Sequence, residues 1–180
     1  STAHVVGHSI GGMVLQQFAR TYQDRLSSMV LAETSPAFGN PDGDFQKQFV
    51  AARLAPLKAG QTMAEVAEDV VPALVGNGVA ANSIAFAQAC MSKVPPEIYE
   101  ATMRCLVTFE GRDALSRISV PVLALAGEKD SNAPAPMMER MASKIEGAEY
   151  ICLPDVGHLA NIEAPDAFNR AVLEFLERHN

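Results

Sequence analysis

Hydrophobic positions recur along this chain in two patterns, as short continuous runs and as runs with helical spacing. The continuous runs lie near the two ends of the chain and are bounded by turn residues. Because strands of a parallel sheet are buried on both faces, such runs predict neighbouring parallel strands joined by helical crossovers. The predicted strands are residues 3–6, 27–32, 120–126 and 148–153.

Helices are predicted after the first strand, before the fourth strand and at the end of the chain. Residues 10–22 have helical spacing, and residues 164–179 form the last helix. A third helix follows Pro134, and its three methionines are expected in the core: Met137, Met138 and Met141. The apolar positions of the first helix are Ile10, Met13, Val14 and Phe18. The fold class is therefore α/β, a parallel sheet with flanking helices.

The region between the second and third strands is helical throughout. A loop rich in Pro, Gly, Asn and Asp, at residues 34–44, precedes it. We divide the chain into a core part at 1–34, a helical insertion at 35–112 and a second core part at 113–180. The predicted helices of the insertion are residues 44–57, 62–74, 80–91 and 96–109.

End signals support these helix boundaries. Asp44 and Thr62 are residue types that cap a helix N-terminus, and Glu65 completes a capping box with Thr62. Gly60 and Gly76 mark the ends of two of the helices.

Composition and charge restrict the possible partners. The chain has 180 residues, 48% of them hydrophobic, and a net charge of −7 with 14 scattered basic residues. Nucleic acid and anionic membrane need clustered Lys and Arg, so we expect neither as a partner. No apolar run is long enough to span a bilayer, and no signal peptide is visible. Three unpatterned cysteines, Cys90, Cys105 and Cys152, suit reduced, buried thiols in a cytoplasmic protein.

A metal site is not expected. His4 and His8 are four residues apart, but they lie on a strand and its turn, and no Cys pair or carboxylate completes a ligand set. No cofactor motif is present, so the prediction is no metal and no cofactor. His8 is instead expected to support a site at the adjacent residue, Ser9, which is discussed next. Asp155 and Glu163 are expected to be structural.

The stretch Gly7-His8-Ser9-Ile10-Gly11 carries the main chemical signal. It matches the Gly-x-Ser-x-Gly turn that exposes a nucleophilic serine between a strand and a helix. We expect a Cβ at Gly7 or at Gly11 to collide with the tightly packed turn. A serine in a glycine-rich turn is often only a helix cap, but the strand and helix around Ser9 favour a nucleophile.

An acid and a histidine follow in the order that completes a triad. Asp130 and His158 each come just after a predicted strand, and the ends of parallel strands meet at one edge of a sheet. Glu128 competes for the acid role, but it follows Gly127 directly and is too early in the loop to reach out. The predicted catalytic residues are therefore Ser9, Asp130 and His158.

Three segments together resemble the α/β-hydrolases: residues 4–12, residues 120–130 and residues 153–165. Within that family the chain is most similar to small carboxylic-ester hydrolases of the 3-oxoadipate enol-lactonase type. The resemblance covers the C-terminal two-thirds of such an enzyme and implies that the N-terminal strands are missing. It further implies that the insertion is a substrate-shaping lid, and that the first strand is an exposed, association-prone edge.

The resemblance implies a serine hydrolase that cleaves a carboxylic ester or an enol-lactone, a small-molecule substrate, through an acyl-enzyme on Ser9. The backbone N–H of Ile10 would donate to the oxyanion, with the second donor in the absent N-terminal part. Three alternatives stay open: a hydrolase of C–C bonds, an acyl transferase with the same triad, and a non-catalytic binding protein of this fold. The oligomeric state is left open, and a homo-oligomer is compatible with a serine hydrolase of this family.

Apolar residues of the insertion are candidates for the substrate pocket, although most are expected to be ordinary packing. The candidates are Phe45, Phe49, Leu54, Met63, Phe86, Met91, Met103, Leu106 and Phe109.

Overall fold

A single four-stranded parallel sheet forms the centre of the computed structural model, which describes residues 1–40 and 42–180. Pro41, within the predicted loop 34–44, lies outside the described residues. The strand order is β1-β2-β3-β4, and all neighbours are parallel, as predicted. Each strand lies within two residues of its predicted bounds. The strands are β1 (Ala3–His8), β2 (Leu26–Ala32), β3 (Val122–Gly127) and β4 (Glu149–Leu153).

Helices cover both faces of this sheet. On one face lie α1 (Ile10–Tyr22) and α6 (Ala135–Ala142), and on the other lies α8 (Pro165–Arg178), which the short α7 (Ala160–Glu163) precedes. Successive residues of β2 and β3 alternate between the two cores because strand side chains have a period of two. Met29 and Leu31 face α1 and α6, whereas Val30 and Ala32 face α8.

The methionines of α6 lie where the sequence predicted. Met138 and Met141 are buried in the core between α6 and the sheet, and Met137 packs against the same cluster.

The apolar positions that gave α1 its helical spacing differ in burial. Met13 is buried, but Val14 is 64% exposed and Phe18 is 39% exposed. The sheet contacts α1 through Leu15 and Ala19 instead. The periodicity was ambiguous because α1 is apolar on more than one side, and β1, over which it packs, is the outer strand of the described sheet.

The described part of the segment between β2 and β3 contains four α-helices, close to the predicted bounds. They are α2 (Asp44–Lys58), α3 (Met63–Val70), α4 (Ala81–Met91) and α5 (Pro96–Leu106). Helix α3 gives way to a 3₁₀ turn at Val71–Ala73 because Pro72 has no N–H to continue it. A small core of their own joins α2, α3 and α5 through Leu54, Met63 and Tyr99.

The two predicted caps have different outcomes. Thr62 and Glu65 form the predicted capping box, with the Thr62 N–H donating to Glu65 over 2.7 Å. Asp44 is not an N-cap: it is the first residue of α2, and Gly43 occupies the cap position.

The predicted burial of the cysteines is wrong. Cys90, Cys105 and Cys152 are free thiols, and all three are exposed. Cys152 lies on β4, the other outer strand of the described sheet, so it has a neighbouring strand, β3, on one side only.

Among the described residues, no helix has both the length and the apolar character needed to cross a membrane.

Candidate active site

Ser9 lies at a sharp turn between β1 and α1, in a backbone conformation that is rare for a residue with a side chain. Its φ is 51° and its ψ is −120°. Such a conformation costs about 1–3 kcal/mol and persists only where surrounding contacts enforce it. The Ser9 N–H donates to the Ala32 carbonyl over 2.9 Å, and the Thr34 hydroxyl donates to the Ser9 carbonyl over 2.7 Å. The end of β2 therefore holds the turn in place.

Close packing around this turn requires glycine at Gly7 and Gly12. A Cβ at Gly7 would lie 2.6 Å from the Gly11 carbonyl oxygen, as the sequence predicted. The prediction for Gly11 is wrong, because a Cβ there would meet nothing within 4 Å. The steric constraint falls one residue later, where a Cβ at Gly12 would lie 2.6 Å from the Thr34 side chain.

The three residues predicted as a triad form one continuous chain of hydrogen bonds. His158 Nε2 lies 2.9 Å from Ser9 Oγ, and His158 Nδ1 lies 2.7 Å from Asp130 Oδ2. An ionised carboxylate only accepts hydrogen bonds, so Nδ1 carries the proton and Nε2 is free to accept the serine proton. This arrangement places a proton acceptor, His158 Nε2, directly beside the Ser9 hydroxyl.

Asp130 is held as an ionised, oriented acceptor. Its second oxygen, Oδ1, accepts the N–H groups of Asn132 over 2.7 Å and of Ala133 over 3.0 Å. Burial opposes ionisation, but the hydrogen bond from His158 and these two N–H groups outweigh it and hold the pKa of Asp130 below its usual range.

Glu128, the alternative acid, is turned away from the site. It is exposed, and it accepts the Asp155 N–H over 3.0 Å and faces Lys129. Asp130 is therefore the carboxylate that contacts His158.

The backbone N–H of Ile10, the candidate oxyanion donor, lies at the N-terminus of a helix. Ile10 is the first residue of α1, directly after Ser9. The first four N–H groups of a helix have no acceptor within the helix, so this group is available to a ligand beside Ser9.

Two further residues, His8 and Glu33, contact the loop that carries His158. His8 Nε2 lies 2.6 Å from the His158 carbonyl oxygen and 3.0 Å from Glu33 Oε2. The fully buried Glu33 carboxylate also accepts the Ala160 N–H over 3.0 Å. His8 was predicted to support the site, whereas Glu33 was missed. The available signal was an acidic residue directly after a buried strand, at the sheet edge where Ser9 lies.

The pKa values of His8 and Glu33 are both raised. Burial by itself lowers the pKa of His8, but the hydrogen bonds to Glu33 and to the His158 carbonyl outweigh it and raise the pKa overall. Burial raises the pKa of Glu33, against the opposing effect of His8.

Glu163, predicted to be structural, ties the His158 loop to the helical insertion. Its carboxylate accepts three backbone N–H groups, from Gly76 over 2.7 Å, Gly157 over 2.9 Å and Leu159 over 2.8 Å. The backbones of these segments touch, since a Cβ at Gly157 would lie 2.5 Å from the Gly76 nitrogen.

A cleft of about 1180 Å³ opens over Ser9 and His158. Five of the nine apolar candidates line it: Phe45, Phe49, Met91, Met103 and Leu106. Leu54 and Met63 instead pack in the core of the insertion, and Phe86 is 61% exposed. Phe109 contributes nothing to the lining.

Most of the charged side chains that line the cleft are basic. Among the described residues, Glu33 is the single carboxylate that lines it, and His8 pairs with that carboxylate. Four basic side chains also line it: Arg53, Arg112, Arg140 and Lys144. Sequence analysis did not single these out because they are spread over three separate segments of the chain.

Arg53 and Tyr99 are two polar residues of the insertion that line the cleft. Arg53 lies 5.4 Å from the centre of the Phe49 ring, and no described carboxylate is within ion-pair distance of it. Burial raises the pKa of Tyr99, against the opposing charge of Arg53, so its hydroxyl stays protonated.

A parallel sheet that brings a serine, an aspartate and a histidine together at the ends of its strands, in this chain order, is typical of one class of α/β proteins. In this chain those residues are Ser9, Asp130 and His158. The chain belongs to the alpha/beta hydrolase family, whose family model matches residues 1–171.

Relatives of this chain include named hydrolases. It is 29% identical to RutD of Caulobacter sp. (strain K31), a protein named as a carbamate hydrolase, over 97% of this chain and 65% of that protein. It is similar to a thermophilic esterase from Thermogutta terrifontis, at 28% identity and a TM-score of 0.88, over 99% of this chain and 66% of the esterase. The enol-lactonase from Burkholderia xenovorans LB400 is 25% identical with a TM-score of 0.83, over 98% of this chain and 66% of that enzyme. The chain thus spans about two thirds of the length of these proteins.

Proposed function

We propose that this chain carries the catalytic residues of a serine hydrolase that cleaves carboxylic esters or lactones. The observation that carries the proposal is the continuous chain from Ser9 Oγ through the His158 ring to Asp130. The esterase and enol-lactonase among the similar structures support the same class of substrate.

Acylation is the first step of the proposed reaction. Ser9 Oγ attacks the carbonyl carbon of the substrate, and its proton moves to His158 Nε2. Asp130, ionised and held by two N–H groups, stabilises the imidazolium that results. When the tetrahedral intermediate collapses, the bond to the alkoxide leaving group breaks and His158 gives its proton to that oxygen.

Deacylation reverses the roles. A water molecule attacks the acyl carbon and gives its proton to His158, and that proton returns to Ser9 Oγ as the acid is released. In both steps the Ile10 N–H stabilises the negative charge on the carbonyl oxygen. Removal of one such donor typically costs about a hundred- to a thousandfold in rate.

The cleft favours a substrate with an apolar acyl group. Phenylalanine, methionine and leucine side chains of the insertion line the same cleft as Ser9. This apolar wall excludes water from the bound acyl part, which strengthens the electrostatic interactions at the carbonyl.

Labelling with a fluorophosphonate tests the proposal directly. We expect a covalent adduct on Ser9, mapped by peptide mass, and hydrolysis of p-nitrophenyl esters and simple lactones by the same preparation. Ser9→Ala and His158→Ala are expected to abolish both. A folded protein that forms no adduct would contradict the proposal and favour a binding protein of this fold. A vinylogous diketone in the same panel tests the C–C hydrolase alternative.

A further inference from the structure

The polar backbone groups around His158 are satisfied by other parts of the chain. Residues 154–159 have no helix or strand of their own, so the position of His158 depends on these contacts. The His158 N–H donates to the Leu74 carbonyl over 2.7 Å, and the His158 carbonyl lies 2.6 Å from His8 Nε2. The next free N–H groups, those of Leu159 and Ala160, donate to Glu163 and Glu33.

His8 and Glu33 reach this loop from the strands that hold Ser9. His8 is the last residue of β1 and pairs in register with Ala32, the residue before Glu33. Glu33 has a φ of 48°, a left-handed conformation that is uncommon for a residue with a side chain. The ends of these two paired strands therefore hold Ser9 and also contact the backbone of the next loop at the His158 carbonyl and the Ala160 N–H.

The donor and acceptor roles of His8 and Glu33 follow from their neighbours. Both atoms near His8 Nε2 are acceptors, the His158 carbonyl oxygen and a Glu33 carboxylate oxygen, so Nε2 carries a proton. Glu33 is fully buried, and His8 is its ion-pair partner among the described residues. Burial of a carboxylate without partners costs free energy, so the contact between Glu33 and His8 stabilises both side chains in these positions.

We propose that His8 and Glu33 are positioning residues that set the distance between the His158 ring and Ser9 by clamping the backbone at His158 and Ala160. The inference rests on the proposed function of Ser9 and His158, and it adds two residues that line the cleft and contact the backbone of the loop that carries His158. Loss of the clamp lets residues 158–160 shift relative to the elbow, and a shift of about 1 Å at a catalytic group costs on the order of a hundredfold in rate.

Kinetics of matched variants test the clamp. His8→Leu removes the donor, and His8→Gln replaces it with a neutral amide donor of similar reach. His4→Gln is the control, because His4 lies on the same strand and its side chain hydrogen-bonds to Ser28, away from the His158 loop. We expect His8→Leu to lower kcat and the rate of fluorophosphonate labelling by about ten- to a hundredfold with KM within about twofold. His8→Gln is expected to recover most of this loss, and His4→Gln is expected to behave as the wild type.

Glu33→Gln provides the second arm. Glutamine keeps an oxygen that can accept a hydrogen bond but removes the negative charge opposite His8, so the charge-assisted contact between the two residues is weakened. We expect kcat to fall with KM unchanged, as for His8→Leu.

Structural and positioning roles give different results. Unchanged kcat and labelling rate in a folded His8→Leu protein would overturn the proposal. Equal losses in His8→Leu and His8→Gln that match the loss of folded protein would also overturn it, since they indicate stability alone. Where His8→Leu does not fold, Glu33→Gln and His8→Gln decide by the same kcat and KM criterion.

A spectroscopic readout separates this inference from the proposed function. The ring ¹H and ¹⁵N signals of His158 report its hydrogen bond to Asp130 without any substrate. We expect Glu33→Gln to shift these signals and His4→Gln to leave them in place. His8→Leu is left out of this readout, because the His8 ring lies 5.3 Å from the His158 ring and its removal by itself changes the His158 signals. If wild-type Ser9 is not labelled, the proposed function fails, while unshifted His158 signals in a folded Glu33→Gln protein overturn the clamp.

Discussion

His158 Nε2 lies 2.9 Å from Ser9 Oγ, although 149 positions separate the two residues in the chain. The contact forms because β1 and β4 are parallel strands of one sheet, so the turns after them open at the same edge. Different neighbours hold the two residues. The end of β2 holds Ser9, whereas Asp130 and His8 contact His158.

Asp130→Asn is expected to leave the fold intact and to lower kcat strongly. The asparagine amide cannot hold the Nδ1–H tautomer of His158 as a carboxylate does, and the comparable change in a serine protease costs about 10⁴-fold. Ester hydrolysis by purified protein measures the loss. Glu128→Gln is the control, because that carboxylate is exposed and turned toward Asp155. Similar losses in both variants would contradict the assignment of the acid.

Gly11→Ala and Gly12→Ala are expected to change stability in opposite directions. A Cβ at Gly12 meets the Thr34 side chain at 2.6 Å, and overpacking of this kind costs about 1–3 kcal/mol. Gly11 is helical with open space around its Cβ position, so alanine there stabilises by about 0.4–1 kcal/mol. Urea unfolding of the two variants measures both changes. A destabilised Gly11→Ala protein would contradict the packing described here.

The free energy of unfolding is expected to fall as the pH rises through the folded-state pKa of His8. That pKa is raised from 6.5, so the stabilisation is complete below about pH 6.5 and is lost above the raised value. The groups that face His8 are Glu33, Asp130 and His158. Glu33 acts in the same direction from a lower pH because its pKa is raised from 4.5, whereas the lowered pKa of Asp130 makes its contribution disappear only in acid.

Unfolding in urea at several pH values, from about pH 6 to about pH 9, measures this dependence. His8→Gln has no titrating ring at this position and is expected to flatten the curve over that range, with His4→Gln as the control. An equally steep curve in His8→Gln would contradict the prediction.

Arg53 is expected to favour substrates that carry a carboxylate at the end of the acyl group. Its guanidinium has no carboxylate partner among the described residues, and Glu33 is the single carboxylate of the described lining. Arg53→Gln should raise KM about tenfold or more for a p-nitrophenyl half-ester of a dicarboxylic acid, since hydrogen bonds to charged groups contribute about 1.5–3 kcal/mol.

The matched neutral ester and Arg104→Gln are the controls for this measurement. Arg104 is an exposed arginine on α5 that pairs with Glu100, so its loss is expected to change neither KM. An equal rise in KM for the charged and the neutral ester would show that Arg53 shapes the cleft without selecting charge.

The outer strand β1 is expected to make this chain associate in solution. Val6 is 46% exposed on that strand, and Val14, Phe18 and Tyr22 of α1 are exposed beside it. An unpaired apolar edge is a template for further pairing, and a lysine on it opposes that pairing. Val6→Lys is therefore expected to lower the mean mass in light scattering. A monodisperse monomer in the unchanged chain would contradict the prediction.

Local patterns were enough for the strands, for most helix boundaries and for the candidate triad. A continuous apolar run such as 120–126 is diagnostic because a strand covered on both faces has no polar position. Ser9, Asp130 and His158 each follow such a run, and their shared position at strand ends predicted that they meet. The side-chain distances of 2.7 and 2.9 Å agree with that expectation.

Properties that depend on which surfaces meet were not predictable in this way. The steric limit at Gly12 comes from Thr34 in the loop after β2, and the exposure of Cys152 follows from the outer position of β4. The pattern of α1 could not tell which of its apolar sides faces the sheet.

The sequence by itself therefore determined the parallel α/β architecture, the elbow and the order of the three candidate catalytic residues, because these are encoded in local spacing. Tertiary structure alone decided the partners of those residues. Glu33 lies 127 positions from Ala160, yet its carboxylate accepts that residue's N–H. Such contacts depend on the relative placement of whole strands and loops, which no local window of the sequence contains.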